Sequence, residues 1–287
     1  MGKVIMSGIV PNLTAPIVVD SILNNNSWET IKKISDSGTG SNYWSVGDRK
    51  EVVLNGTVGH LTLSNYTTYA FIIGFNHNAE LEGNNRIHFQ LAKTALSGGV
   101  DVAFCDISYG STVSATGYFS MSTSSSTLGG WESSQMRTNI CGTSLTSYSG
   151  TIIAVIPETL RSVLKSVTKY TNNVGNASQE ASAVTATTDY FFLLSEYEVF
   201  GRNNFSNKNE SSKQARYSYY STASVGRAVL KYKHNATTTP CDWWLRSPGA
   251  SSTSYFAVAY ANTDDGYSYD QNIDATRSYG FTPAFCV

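Results

Sequence analysis

Cys-Asp-Trp-Trp-Leu-Arg-Ser-Pro-Gly at residues 241–249 and Tyr-Gly-Phe-Thr-Pro-Ala-Phe-Cys-Val at residues 279–287 bound the C-terminal part of the chain. Both runs are rich in the apolar and aromatic residues of a core. Between them, residues 251–278 are almost entirely Ser, Thr, Tyr, Asn, Asp, Ala and Gly. Alone, such a composition reads as a linker. Pinned at both ends by core residues, it reads as a displayed polar surface. Within it, alternation along residues 255–260 places Phe256 and Val258 inward and Tyr255, Ala257 and Ala259 outward. Asp264-Asp265-Gly266 is a hairpin-type turn signal, after which Tyr267 and Tyr269 share a face. Tyr supplies rigid contact area and Ser and Asn supply adaptable hydrogen bonds, the palette of antibody-like binding surfaces. An ordinary polar hairpin has the same composition.

Working outward, the 287-residue chain suits one large β-rich domain, and its 41% hydrophobic content allows a sizeable core. Only 14% of residues are charged, against roughly 25% in an average globular protein. Ser, Thr and Asn must therefore cover the surface, as in many extracellular and virion proteins. Net charge is −1 with no Lys/Arg run, which argues against nucleic acid or anionic lipid as partner. No segment has the length and apolarity of a signal peptide or membrane span, so synthesis in the cytoplasm is expected. The four cysteines, Cys105, Cys141, Cys241 and Cys286, lack metal-type spacing and read as buried reduced thiols. Cys241 and Cys286 bracket the two apolar runs and are the pair to watch.

Residues 1–26 read as an irregular arm. Ser27 then caps a helix to Asp36, with Trp28, Ile31 and Ile34 on one face and Gly38 as its stop. Residues 43–48 and 51–56 read as strand, turn and strand, and residues 60–63, 69–75 and 87–91 continue the meander. The Ser/Thr/Gly-rich residues 101–130 form a long structured excursion. Ser133 or Ser134 caps a short helix ended by Gly142. Residues 151–156 read as a buried strand. Pro157 opens a second helix reaching Tyr170, with Leu160, Val163, Leu164 and Val167 at helical spacing. Residues 189–195 form a strand buried on both faces.

Signatures for phosphate cradling, zinc proteolysis and the nucleophile elbow are missing. His77, Glu80 and Glu82, with His88 downstream, have the donor types for metal binding or acid–base work. The alternative is a polar turn. Glu196 and Glu198 share a face if the preceding strand continues, as a carboxylate pair or as ion-pair partners of Arg202 or Arg246. Trp243, Trp244 and Leu245 read as core, with a sugar-stacking platform as the rival.

Trp243-Trp244-Leu245-Arg246-Ser247-Pro248 followed by Gly280-Phe281-Thr282-Pro283-Ala284-Phe285-Cys286 resembles the DUF6273 family. It also resembles the C-type-lectin-fold proteins diversified by retroelements of gut bacteria, phages and prophages. The likeness spans residues 27–287, and departs from the family pattern at Phe281-Thr282. It implies an α+β, C-type-lectin-like domain: two helices around a small twisted antiparallel sheet with long structured loops. The C-terminal variable region, residues 250–278, would be hypervariable and held by fixed framework.

The expectation is then a receptor-binding, tail-associated protein of a phage or prophage, located in the virion or at a cell surface and free of catalysis. Its ligand would be a host-surface protein or glycan, with self-association left open and neither nucleic acid nor membrane insertion involved. The contact residues would be Ser251, Ser252, Ser254, Tyr255, Ala257, Ala259, Tyr260, Asn262, Asp264, Tyr267, Tyr269, Gln271, Asn272, Asp274, Thr276 and Arg277. The calcium-binding sugar triplets of animal lectins are absent, so no metal or cofactor is carried over. Two rivals stand: an oxidase of the formylglycine-generating type using copper with Cys241 and Cys286, and a bacterial surface adhesin.

Overall fold

Alternating burial along β1 (Arg49–Val58) and the start of β2 (Leu61–Phe75) makes a hairpin with one face inward, turned at Gly59, where φ is +53°. The computed structural model describes residues 17–106, 117–222, 229–260 and 269–287, with 222 and 269–272 by backbone alone. Before the hairpin, α1 (Trp28–Asp36) starts where Ser27 Oγ accepts from Thr30 N at 3.0 Å. Trp28 packs edge-on to Phe89, with ring centroids 5.5 Å apart. After the short α2 (Ala79–Glu82) comes β3 (Ile87–Lys93), buried along its whole length, and then β4 (Val102–Ala103).

Two single-turn helices, α3 (Ile152–Val155) and α4 (Glu158–Arg161), lead to the ribbon β5 (Val167–Asn172) and β6 (Val184–Asp189). Then follow β7 (Phe191–Phe192), α5 (Glu196–Phe200) and α6 (Ser218–Thr222). The remaining strands are β8 (Tyr232–Lys233), β9 (Ala236–Pro240), β10 (Trp243–Pro248), β11 (Tyr255–Ala259), β12 (Tyr269–Asp274) and β13 (Ala284–Cys286).

The main sheet runs β1-β2-β3-β13-β7, entirely antiparallel, so the last strand of the chain lies inside it. Phe285 of β13 faces Phe89 on one side and Phe191 on the other. A second antiparallel sheet runs β10-β11-β12, and a third, β4-β8-β9, contains one parallel pairing. The architecture mixes a few short helices with several small, mainly antiparallel sheets.

Several sequence expectations are corrected. Residues 165–170 are not helix, because Lys165 N donates to Cys286 O at 2.9 Å and draws the chain onto β13. Leu160, Val163, Leu164 and Val167 are all buried, but through one turn followed by a strand. Residues 151–156 form the turn α3 rather than a strand, and Arg161 donates to the carbonyls of Ile153 (2.9 Å) and Ile156 (2.8 Å) that a neighbouring strand would otherwise serve. Residues 43–48 make turns around buried Trp44 instead of a strand. Residues 1–16 of the arm lie outside the described residues, while Asn24 Oδ1 accepts from Glu51 N at 2.8 Å and fastens the rest to the hairpin edge.

Candidate functional site

The two apolar runs meet directly. Trp244 N donates to Gly280 O at 2.9 Å, and Gly280 N donates to Asp242 O at 2.7 Å. The two ends of the polar stretch therefore lie side by side. Trp243 and Trp244 are fully buried, and their indole N–H groups donate to Val229 O (2.9 Å) and Phe119 O (2.8 Å). A buried indole with its one donor satisfied is core, which disfavours the sugar platform.

Beneath this junction lies a buried ion network. The Arg246 guanidinium grips both oxygens of Glu198 and also donates to Thr171 Oγ1 (2.7 Å) and Leu193 O (2.8 Å). Lys169 Nζ bridges Glu198 (2.6 Å) and Glu82 (2.7 Å). The expected partnership of Arg246 with a core carboxylate is thus present, although Glu198 sits on helix, not strand. Ser195 makes a capping box with Glu198 and turns the chain into α5. Glu196 then diverges from Glu198 and accepts from the backbone N–H groups of Asn204 (2.8 Å) and Ser206 (2.9 Å). They do not form a carboxylate pair.

Burial would raise the Glu198 carboxyl, but Arg246 and then Lys169 overcome it and hold it well below the usual range. Burial pushes Glu82 up to about 7 against the pull of Lys169. Burial likewise pushes Glu210 up to about 7, despite hydrogen bonds from Asn172 N (2.9 Å) and Ser247 Oγ (2.8 Å).

His77, Glu82 and Glu198 place donor atoms within 4.8 Å of one another, the arrangement nearest to a metal site among the described residues. Lys169 already binds both carboxylates, and Arg246 holds both Glu198 oxygens. Two buried cations already balance two carboxylates. The His77 imidazole stacks on Tyr217 at 3.6 Å between ring centroids. Burial, then Lys169, lower its pKa to about 3. The region singled out as a polar turn or reactive cluster is therefore the structural base of the fold.

The predicted contact residues divide. Ser251, Tyr260 and Arg277 are exposed, and Ser252, Ser254, Tyr255, Asp274 and Thr276 are half-buried. Ala257 and Ala259 are buried, at 1% and 0% exposure, so their outward placement is corrected. They lie on β11, the central strand of its sheet, and consecutive residues Phe256 to Ala259 are all buried, so both faces are covered. Tyr269, Gln271 and Asn272 lie on β12. Asn262, Asp264 and Tyr267 lie outside the described residues, as does the Asp264-Asp265-Gly266 turn. The Asp274 carboxylate binds Ser125 Oγ, Thr276 N (2.9 Å) and Thr276 Oγ1 (2.7 Å), so it orders its own turn.

Two further segments border this surface and were missed. Thr127 N donates to Thr253 O at 2.7 Å, and Gly129 N donates to Val174 O at 2.9 Å. Leu128 beside them is 72% exposed and Val174 48%. A lone Leu within a Ser/Thr/Gly run was the available signal.

Cys241 and Cys286 occupy separate places: Cys286 Sγ lies 3.3 Å from His88 Nδ1, whereas the Cys241 thiol donates to Asp242 O at 3.4 Å. All four cysteines are buried, and none is in a disulfide.

Residues 117–287 match the family described as Domain of unknown function (DUF6273). The chain belongs to the DUF6273 family. The match takes in both apolar runs, the ribbon β5–β6, α5 and the whole polar stretch of this DUF6273 protein. No curated protein and no solved structure matches the chain.

Proposed function

We propose that this DUF6273 protein is a non-catalytic binding protein that recognises a ligand through the polar surface of residues 251–277. One observation carries the reading. A Tyr/Ser/Asn/Asp stretch departs from and returns to a single clamp, Trp244 with Gly280, whose surroundings are fully buried and whose charges are paired. A rigid frame under adaptable polar side chains is the arrangement of an antibody-like binding face. Leu128 and Val174 add exposed aliphatic area at its border.

The finer fold reading is a C-type-lectin-like domain, and the finer biological reading is a retroelement-diversified receptor-binding protein of a phage tail or cell surface, directed at a host protein or glycan. Both rest on the resemblance of the clamp sequences. Their genomic expectation is a reverse-transcriptase gene beside a near copy of the 3′ coding segment that differs only at adenines.

The binding proposal is tested by displaying a library randomised at Ser251, Ser252, Ser254, Tyr255, Tyr260 and Arg277 and selecting it on panels of immobilised proteins and glycans. The expected result is target-specific binders that keep the parent's thermal midpoint. A library that stays folded yet yields no binder contradicts the proposal.

A further inference from the structure

Residues 21–25, 47–49 and 96–98 line a cleft of about 380 Å³ where β1 begins, and none of them belongs to the 251–277 surface. That volume lies within the roughly 300–1,000 Å³ of small-molecule sites. Each segment is held by its own hydrogen bonds. Asp20 Oδ1 accepts from Ile22 N at 2.7 Å, and Asn26 Nδ2 donates to Asp20 O (2.9 Å) and Ile22 O (3.0 Å). Gly47 N donates to Ile72 O at 2.8 Å, and Val100 N donates to Thr94 Oγ1 at 2.9 Å, closing the turn that carries residues 96–98. The cleft is therefore preformed. Its charged groups are Asp48 and Arg49. Arg49 Nη1 donates to Ala95 O and Gly98 O, both at 2.5 Å, which uses both of its hydrogens. Among the described residues nothing accepts from Nε or Nη2, and those two parallel N–H groups are the fork that fits a carboxylate. Asp48 accepts from Ser45 N through Oδ2 at 2.9 Å, which leaves Oδ1 without a hydrogen bond among the described residues. Two aliphatic side chains complete the lining, Ile22 at 60% exposure and Leu96 at 45%. A Cβ on Gly47 or Gly98 would meet nothing within 4 Å, so the cleft is open over both.

We propose that this cleft binds a free aliphatic α-amino acid. The Arg49 fork takes the carboxylate, Asp48 takes the ammonium, and Ile22 with Leu96 cover the aliphatic side chain. A lone arginine would suit any anion. Opposite charges offered in one cleft, and not spent on each other, suit a zwitterion. A few placed polar groups fix the orientation of such a ligand while apolar contacts add affinity. This inference goes beyond the binding role of the polar surface and stands without it.

The test is calorimetric titration of the natural chain with L-leucine, glycine, isocaproate and isopentylamine. Isocaproate is leucine without its ammonium, isopentylamine is leucine without its carboxylate, and glycine lacks the aliphatic group. The expected result is saturable binding of L-leucine. Isocaproate and isopentylamine should each bind about tenfold or more weakly, the usual effect of losing one hydrogen bond to a charged group. Glycine should also bind more weakly than leucine. Arg49→Lys keeps the charge but not the fork, and should weaken leucine binding by roughly tenfold. Asp48→Asn should remove the preference for leucine over isocaproate. Absence of saturable leucine binding, isocaproate binding as tightly as leucine, or an unchanged leucine affinity in Arg49→Lys would overturn the proposal. The ligand series reads this on the natural chain whether or not a variant folds.

Discussion

At the scale of single residues, Arg246 joins the C-terminal run to the rest of the core. Its sequence context, one cation after Trp-Trp-Leu, showed that it needed a carboxylate. Glu198 was one of two acids within view. Lys169 and Glu82 were not legible as members of the same network, because a contact across 87 residues leaves no local pattern. Replacing Arg246 by Met leaves Glu198 beside a single cation in a dry site, and breaking such a buried pair costs about 3–5 kcal/mol. Urea unfolding should show a loss of that order, and an unchanged midpoint would contradict the network's role. Arg246→Lys should also destabilise, since an ammonium cannot grip both carboxylate oxygens.

Glu210 gives a pH prediction. Burial raises its folded pKa to about 7 from the ordinary 4.5, so the folded state keeps a proton that the unfolded chain releases. The associated stability is fully present below about pH 4.5 and is lost as the pH rises through about 7, with a magnitude on the order of 3 kcal/mol. Glu210→Gln mimics the protonated form and removes this titration. Stability measured from pH 4.5 to 8 should decline less in the variant than in the natural chain. Parallel curves would show that Glu210 does not titrate there.

At the scale of elements, local signals were reliable where the backbone itself is capped. Ser27 begins α1 as its sequence announces, and Ser134 Oγ accepts from Arg137 N at 3.1 Å at the head of the π-helical turn Met136–Cys141. Reading failed where periodicity was coincidental. The spacing of Leu160, Val163, Leu164 and Val167 fits a helix, yet pairing of Val167 with Asp189 and of Thr168 with Thr188 wins, since β-branched residues suit a half-buried ribbon. Along β11, alternation assigned Ala257 an outward face, but Phe256 to Ala259 are all buried, so that face is covered as well. Glycine marks one further constraint. A Cβ on Gly175, where φ is +61°, would overlap the Thr127 carbonyl that lies beside the proposed binding surface. Gly175→Ala should therefore destabilise by roughly 1–3 kcal/mol through strain and clash. Chemical unfolding checks this, and a neutral result would mean the two loops can part freely.

At the scale of the whole molecule, the division between frame and surface was legible from composition, whereas the depth of the frame was not. Sequence placed core residues at both ends of the polar stretch. It gave no sign that those ends touch, that β13 enters the interior of the main sheet, or that residues 127–129 and 174 adjoin the same surface. These features depend on long-range hydrogen bonds such as Trp244 N to Gly280 O and Thr127 N to Thr253 O. Among the described residues no helix is long and apolar enough to cross a membrane. The central claim is that stability resides in the clamp and its ion network while the exposed side chains of residues 251–277 are free to change. Its most direct test is thermal unfolding of one variant carrying Ser251→Ala, Tyr260→Ser and Arg277→Ser together, beside Trp244→Ala. The account predicts a midpoint for the surface variant close to that of the natural chain, against a loss of about 3–5 kcal/mol for Trp244→Ala. A surface variant that unfolds as readily as Trp244→Ala would contradict it.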